Sequence, residues 1–261
     1  MDSLLTAFFM AWGMFCAIPC PLRRWDETLR GWMLACFPLI GLLTGGIWSA
    51  AAALLRLFAC PLLPEAAILT ALPFLLTGFI HLDGYMDCCD AILSRREREE
   101  RLRILKDPHV GSFAVIGFGL LLLLEFAAVH EAVARESNLW LLTAISCAAR
   151  CPSSLAILTA PSLPGSGYAN VRNPSPRRAV TGSFAVAGST AVTGIILACA
   201  VALPLFSLRV PQGACPALAS SGAALSIVWA ARQLGGVNGD ISGFGVTIGE
   251  LCGVAALAAL A

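Results

Sequence analysis

The densest chemistry in this 261-residue sequence lies between Thr77 and Asp90, which reads Thr-Gly-Phe-Ile-His-Leu-Asp-Gly-Tyr-Met-Asp-Cys-Cys-Asp. Asp83, Asp87 and Asp90 stand at i, i+4 and i+7. On a helix those offsets place three carboxylates within an arc of about 60° and a rise of about 10 Å. Three such groups at the end of an apolar helix repel one another, and each costs roughly 2.5–3.5 kcal/mol if drawn to mid-membrane. A divalent cation removes that penalty. Hard Mg²⁺ takes a few carboxylate oxygens and keeps places for water or phosphate. Without a ligand the same stripe would be a solvated helix end. Basic residues begin only at Arg95, too late for simple intrahelical pairing, which favours the metal.

His81 lies two residues before Asp83, so on a continuous helix it points away from the stripe, unless Gly84 bends the chain back. A histidine there is either a ligand or catalytic group, or simply a hydrogen-bonded side chain. Lys106-Asp107-Pro108-His109-Val110-Gly111-Ser112 adds a cation, an acid and a glycine turn suited to an anionic substrate. Farther on, Leu234-Gly235-Gly236-Val237-Asn238-Gly239-Asp240 supplies a fourth carboxylate and three glycines. Gly235, Gly236 and Gly239 would let backbone N–H groups approach phosphate, although such a loop is most often only a turn. Arg150 and Glu250 are ionisable groups at apolar depth, where such residues line a cavity or pair with one another; Glu125 is a similar case.

The elements that must hold these residues are set by composition. Hydrophobic residues make up 58% of the chain and charged residues 13%, and the mean hydropathy is +0.81. A soluble domain carries roughly a quarter charged residues. Disorder is excluded by the same numbers, and a net charge of +1 offers no field to gather nucleic acid. The fold class is therefore all-α, a polytopic helical membrane bundle forming a single embedded domain over residues 1–261. Runs near the roughly 20 residues needed to span hydrocarbon are Gly31–Phe58, Leu62–His81, Val110–Ala132, Leu139–Ala160, Val180–Phe206 and Ala217–Ala231. Val246–Ala261 is a short seventh. Ser3–Ile18 stops at Pro19, Pro21 and Arg23-Arg24 and reads as an interfacial or re-entrant helix.

Thirteen of the 17 Lys and Arg residues fall in alternate connections, in Arg23–Arg30, Arg95–Lys106, Arg172–Arg178 and at Arg232. The intervening loops hold only Arg56, Arg135 and Arg209. By the positive-inside bias, the face with connections 82–109, 161–179 and 232–245 is cytosolic. Within it, Ser94–Lys106 reads as a short amphipathic helix with a Ser94/Glu97 capping box and a Leu102–Leu105 edge for the membrane surface. The 11 cysteines include no C-x-x-C pair and act mostly as small hydrophobes. Gly- and Ala-rich spans could support association into a homo-oligomer.

His81-Leu82-Asp83-Gly84 with Asp87 and Asp90, then Lys106-Asp107-x-x-Val110-Gly111-Ser112, then Gly235-Gly236-x-x-Gly239-Asp240, resemble the cobalamin synthase (adenosylcobinamide-GDP ribazoletransferase) family. Phe37-Pro38-Leu39-Ile40-Gly41, Gly249-Glu250-Leu251 and Pro19-x-Pro21 before Arg23-Arg24-Trp25 agree in order. Departures are Phe79 and Ala91 at positions where the family usually has glycine, Pro108-His109 for Ser-Arg, and Asn238 for Thr. The resemblance implies a Mg²⁺-dependent enzyme of the cytoplasmic membrane. It would transfer the adenosylcobinamide-phosphate moiety of adenosylcobinamide-GDP to α-ribazole or its 5′-phosphate and release GMP. On that reading Asp83, Asp87, Asp90 and Asp240 hold Mg²⁺. Lys106, Arg150 and the glycine loop bind substrate, and His81 or Asp107 orients or deprotonates the attacking hydroxyl. The alternatives are another intramembrane phosphotransferase, whose motif has an Ala-Arg pair that is missing after Asp83-Gly84, a prenyltransferase, whose motif reads N-x-x-x-D-x-x-x-D where this chain has D-x-x-x-D-x-x-D, or a cation-coupled transporter, which often has internal repeats that this sequence lacks.

Overall fold

The computed structural model describes residues 2–168, 179–208 and 211–261. Arg172, Arg177, Arg178 and Arg209 lie outside them. The described residues form α-helices joined by short connections, with one isolated bridge between Ser162 and Val237 in place of any sheet. In order these are α1 (Asp2–Phe15), α2 (Arg30–Leu57), α3 (Leu62–Leu76), α4 (Ile80–Leu93) and α5 (Arg98–Ile104), then α6 (Ser112–Ala134), α7 (Leu141–Thr159), α8 (Ala179–Leu208), α9 (Cys215–Leu234) and α10 (Gly239–Ala259). Six are long and apolar enough to cross a membrane, so the chain is a multi-pass membrane protein. Its outside is correspondingly greasy. Ile116, Leu120, Leu123 and Leu124 of α6 are all exposed, a patch that hydrocarbon rather than water accommodates.

The centre of the bundle is made of α7 and α10, with 78% and 72% of their apolar windows buried, against 11% for α8. Small residues make that possible. A Cβ on Gly41 of α2 would lie 2.6 Å from the Ser146 carbonyl of α7, and one on Gly253 of α10 would lie 2.5 Å from Ile145. Close backbone approach at residues spaced by four is how helices associate where lipid removes the hydrophobic drive. Gly41 and Gly253 thus serve contacts within the chain. Side-chain bonds reinforce them: Ser154 Oγ donates to the Leu34 carbonyl (2.6 Å) and Trp48 Nε1 to the Leu69 carbonyl (2.8 Å).

Three expectations need correction. The run Leu62–His81 is not one straight span: α3 stops at Leu76, and α4 departs at 89° after Thr77-Gly78-Phe79. Gly78 (φ +60°) and Phe79 (φ +64°) both take the left-handed conformation there. Phe79 does so at a cost of about 1–2 kcal/mol, having a Cβ where glycine has none. The last helix is not short. Asn238 caps it, its side chain accepting from the Ile241 N–H (3.0 Å), so α10 starts at Gly239 and runs 21 residues. An apolar run counted from Val246 misses its first two turns because Gly239, Asp240, Ser242, Gly243 and Gly245 interrupt the hydrophobic pattern.

The third correction concerns α5. No Ser94/Glu97 capping box forms; α5 begins at Arg98, and Ser94 Oγ donates to the Ala91 carbonyl. Leu105 is buried and Leu102 packs on the core, so this edge faces protein rather than lipid. Arg98 Nε donates to the Leu234 carbonyl (2.9 Å) and Arg101 Nη1 to Gln233 Oε1 (2.6 Å). Two arginines of an apparently solvated face therefore pin α5 to the end of α9, where unpaired carbonyls await donors.

At 14 residues, α1 extends about 21 Å, short of the roughly 30 Å of hydrocarbon. Its end tucks inward: Phe15 packs on Phe37 with ring centroids 4.4 Å apart, and the Ala17 N–H donates to the Leu76 carbonyl at the bend (2.8 Å).

Candidate active site

The site is assembled where α4 crosses the start of α10. Asp83 is exposed, Asp87 half-buried and Asp90 buried along α4. Asp240 stands in the first turn of α10, whose positive end favours its charge. Asn238 Nδ2 donates to Asp240 Oδ2 (2.6 Å) and fixes that carboxylate. The charges of Asp83, Asp240 and Asp90 all act on Asp87, and Asp83 acts on Asp240. Four carboxylates from two helices thus form one electrostatic unit.

Gly84 permits the crossing. A Cβ there would sit 2.8 Å from both the Cα and the carbonyl oxygen of Asp240, which are backbone atoms that cannot swing aside. Gly84→Ala is therefore expected to push α4 and α10 apart, costing about 1–3 kcal/mol in stability and most of the activity. Thermal unfolding of the detergent-solubilised protein, beside a turnover assay, checks both effects.

Asp90 has a second occupation. Its Oδ2 accepts from the Gly111 N–H (2.6 Å) and its Oδ1 from the Ala114 N–H (2.9 Å), so it caps α6 from a distance in sequence. The Gly111 of the Val-Gly-Ser motif has its reason here, because a Cβ would lie 2.5 Å from Asp90 Oδ1.

Lys106 and Asp240 line a common cavity of about 280 Å³, together with Leu102, Leu105, Tyr168 and Gly239. Lys106 Nζ donates to the Pro164 carbonyl (3.1 Å), leaving two of its hydrogens for other partners. Burial pushes the Tyr168 phenol up to about 12, so at neutral pH it is a neutral hydrogen-bond donor on the cavity wall. Tyr168 was missed in the sequence, although one of only two tyrosines sitting in a polar connection was a signal.

The glycine loop is built differently from the expected phosphate cradle. Gly235 caps α9 in the left-handed conformation (φ +90°), against the Arg98 guanidinium. The N–H groups of Gly235 and Gly236 both donate to the Ala231 carbonyl, and that of Val237 to the Pro161 carbonyl. Gly239 is the glycine of the three that lines the cavity.

None of the three other candidates lines that cavity. Because α4 is continuous through Gly84, His81 points away from the stripe into a cage of Phe15 and Phe37, at centroid distances of 6.3 and 5.4 Å. Its Nε2 is buried with no hydrogen-bond partner among the described residues. Arg150 is fully buried and does not line this cavity. Its Nη1 donates to Glu250 Oε1 (2.7 Å), Ser146 Oγ (2.6 Å) and the Ser146 carbonyl (2.8 Å), and its guanidinium lies 5.8 Å from the Phe37 ring centroid. Asp107 is exposed and accepts from the His109 backbone N–H (3.0 Å), with Oδ1 2.7 Å from His109 Nδ1. The His109 N–H and ring hold its carboxyl below the usual carboxylate range.

Chemically, the arrangement offers hard oxygen donors, one cation and a neutral phenol beside a small polar cavity. Among the described residues no three His, Cys, Asp or Glu side chains already stand close enough to enclose a metal ion. The donor chemistry nevertheless fits a hard divalent cation. Asp87 has three like charges acting on it, and the oxygens of Asp83, Asp87 and Asp240 come from both sides of one crossing.

A family model described as cobalamin-5-phosphate synthase matches residues 7–258. The chain is 31% identical over 258 residues to an adenosylcobinamide-GDP ribazoletransferase of Clostridium botulinum (strain Alaska E43 / Type E3), covering 97% of each chain. It is 31% identical over 258 residues to the protein of the same name from Clostridium perfringens (strain 13 / Type A), covering 97% of this chain and 98% of that one. With the like-named protein of Halalkalibacterium halodurans it shares 32% identity over 252 residues, 88% and 87% of the two chains. No solved structure matches the chain.

Proposed function

This chain belongs to the cobalamin-5-phosphate synthase family, and on that premise we propose that it is an adenosylcobinamide-GDP ribazoletransferase. A ribose hydroxyl of α-ribazole, or of its 5′-phosphate, attacks the cobinamide-side phosphorus of adenosylcobinamide-GDP. The new P–O bond forms as the bond to GMP breaks. GMP departs with the electron pair, and the hydroxyl proton passes to a base. The observation that carries this reading is the meeting of Asp83, Asp87 and Asp240 at one helix crossing, beside a cavity that also presents Lys106.

Displacement at phosphorus needs donor and acceptor held in line and charge neutralised on the leaving group. Asp83, Asp87 and Asp240 would hold Mg²⁺, with Asp90 supporting from its capping position. When bound, Mg²⁺ supplies charge neutralisation on the diphosphate. Lys106 places a positive charge on the same cavity, and the Tyr168 hydroxyl offers a donor that needs no ionisation. Of the two base candidates, Asp107 is the accessible one, exposed and next to Lys106 in the chain, whereas His81 is enclosed by rings. With His109 Nδ1 donating to Asp107, His109 Nε2 is left free to take the proton, so Asp107 would act by orienting His109.

The excess of Arg and Lys in the connections on this side supports a cytosolic site in the cytoplasmic membrane. Membranes containing the protein should release GMP from adenosylcobinamide-GDP only when an α-ribazole acceptor and Mg²⁺ are both present. Release without acceptor would make the protein a hydrolase. Substrate accumulation in vesicles with no GMP would make it a transporter.

A further inference from the structure

A second cavity, of about 580 Å³, opens between α1 and the segment that leads to α2. Its size falls in the range of roughly 300–1,000 Å³ typical of small-molecule sites. Arg23, Arg24 and Trp25 line it from one side, and Met10, Met14 and Cys16 from the other. Neither Arg23 nor Arg24 makes an ion pair with a described residue, whereas the neighbouring Arg30 is paired to Glu27. Trp25 is held in place: its Nε1 donates to Glu27 Oε1 (2.7 Å) and the Arg30 guanidinium lies 5.7 Å from its ring centroid. The ring is still half exposed. Two guanidinium groups that no described carboxylate pairs, beside a fixed, accessible indole, suit a ligand with a phosphate and a flat aromatic ring.

The cavity adjoins the site already described. Met14 on its wall receives the Tyr168 hydroxyl (3.7 Å to Sδ), and Tyr168 in turn lines the Lys106–Asp240 cavity. Arg30 donates to the Gly167 carbonyl, tying the same two walls together. A molecule seated by Arg23 and Arg24 would therefore extend past Tyr168 toward the carboxylates.

We propose that this second cavity is the acceptor subsite, with Arg23 and Arg24 binding the 5′-phosphate of an α-ribazole 5′-phosphate and Trp25 stacking on its base. This rests on the transferase reading above and adds to it which residues seat the acceptor and set the preference between its two forms. The division of labour follows from charge. The carboxylate site needs a cation before it can take a diphosphate, whereas the arginine site takes a monophosphate directly.

The test compares full-length wild-type protein in membranes with the double variant Arg23→Gln/Arg24→Gln, both positions being exposed. KM is measured for α-ribazole and for α-ribazole 5′-phosphate at saturating donor and Mg²⁺. Wild type should prefer the phosphorylated acceptor, and the double variant should lose that preference, the ratio of the two KM values falling by about 10–100-fold. Trp25→Leu should raise KM for both acceptors alike. An unchanged ratio overturns the proposal and leaves the arginines to lipid headgroups or to the fold. So does a wild type that does not distinguish the acceptors. If wild type releases no GMP with either acceptor, it is the transferase reading that fails. Calorimetric titration of α-ribazole 5′-phosphate against wild type and double variant then judges the cavity alone: binding lost with the arginines upholds it, and equal or absent binding rejects it.

Discussion

Asp83→Asn is expected to lower GMP release by about 10²–10³-fold, the range seen when one preorganised electrostatic contact is removed from a reacting phosphate or acyl centre, while the protein remains folded in the membrane. The reasoning is local. Asp83 is exposed, it makes no side-chain hydrogen bond to a described residue, and its charge acts on Asp87 and Asp240. Removing the charge relieves repulsion, so stability should hold or rise slightly. The activity should fall because a hard-oxygen donor is lost from the proposed metal site. The Mg²⁺ concentration needed for half-maximal turnover should rise in the same variant. Full activity at unchanged Mg²⁺ demand would refute the role. Asp90 provides the contrast within one helix. It caps α6 through Gly111 and Ala114, so its replacement should cost stability as well as turnover.

The second large effect concerns the fold. Replacing Arg150 by Met should destabilise the protein by about 3–5 kcal/mol, the cost of stranding one partner of a buried pair. Arg150 is wholly inside, bonded to Glu250 and Ser146, and Glu250 faces a further buried carboxylate, Glu125. Without the guanidinium two carboxylates confront each other. Glu250→Gln removes one of them, keeps Ser146 as a partner for Arg150, and should cost less. The double replacement Arg150→Met/Glu250→Gln should recover part of the loss of the arginine variant. Thermal unfolding of the solubilised protein measures all three. Equal melting of Arg150→Met and wild type would show that the pair contributes nothing.

His81 and Arg150 explain how a sequence motif divides between chemistry and support. His81, Phe37 and Arg150 come from three helices and pack together. Glu250, paired with Arg150, lies ten residues along α10 from Asp240, about 15 Å deeper at helical rise. The H-L-D-G motif is thus read on two faces of α4: Asp83, with Asp87 one turn on, toward α10's first turn, the histidine into the core. Period alone predicts that split for a continuous helix. The alternative that Gly84 bends the chain fails because Gly84 is where α10's backbone passes.

From the order of its residues alone, the chain determined that it is a helical membrane bundle, because desolvating the backbone in lipid leaves helices as the available spans and long apolar runs announce them. It also determined the Asp83-Asp87-Asp90 stripe, since period 3.6 fixes which side chains share a face. Only the tertiary structure decided that Asp240 joins the stripe, that Asp90 caps α6, that Arg98 and Arg101 hold α5 rather than face water, and that Gly235 and Gly236 serve a turn. Each of those outcomes depends on a contact between residues far apart in the chain. Periodicity and local propensity describe neighbours three or four positions away, while the partner that satisfies a carboxylate or a helix end is set by how whole helices cross.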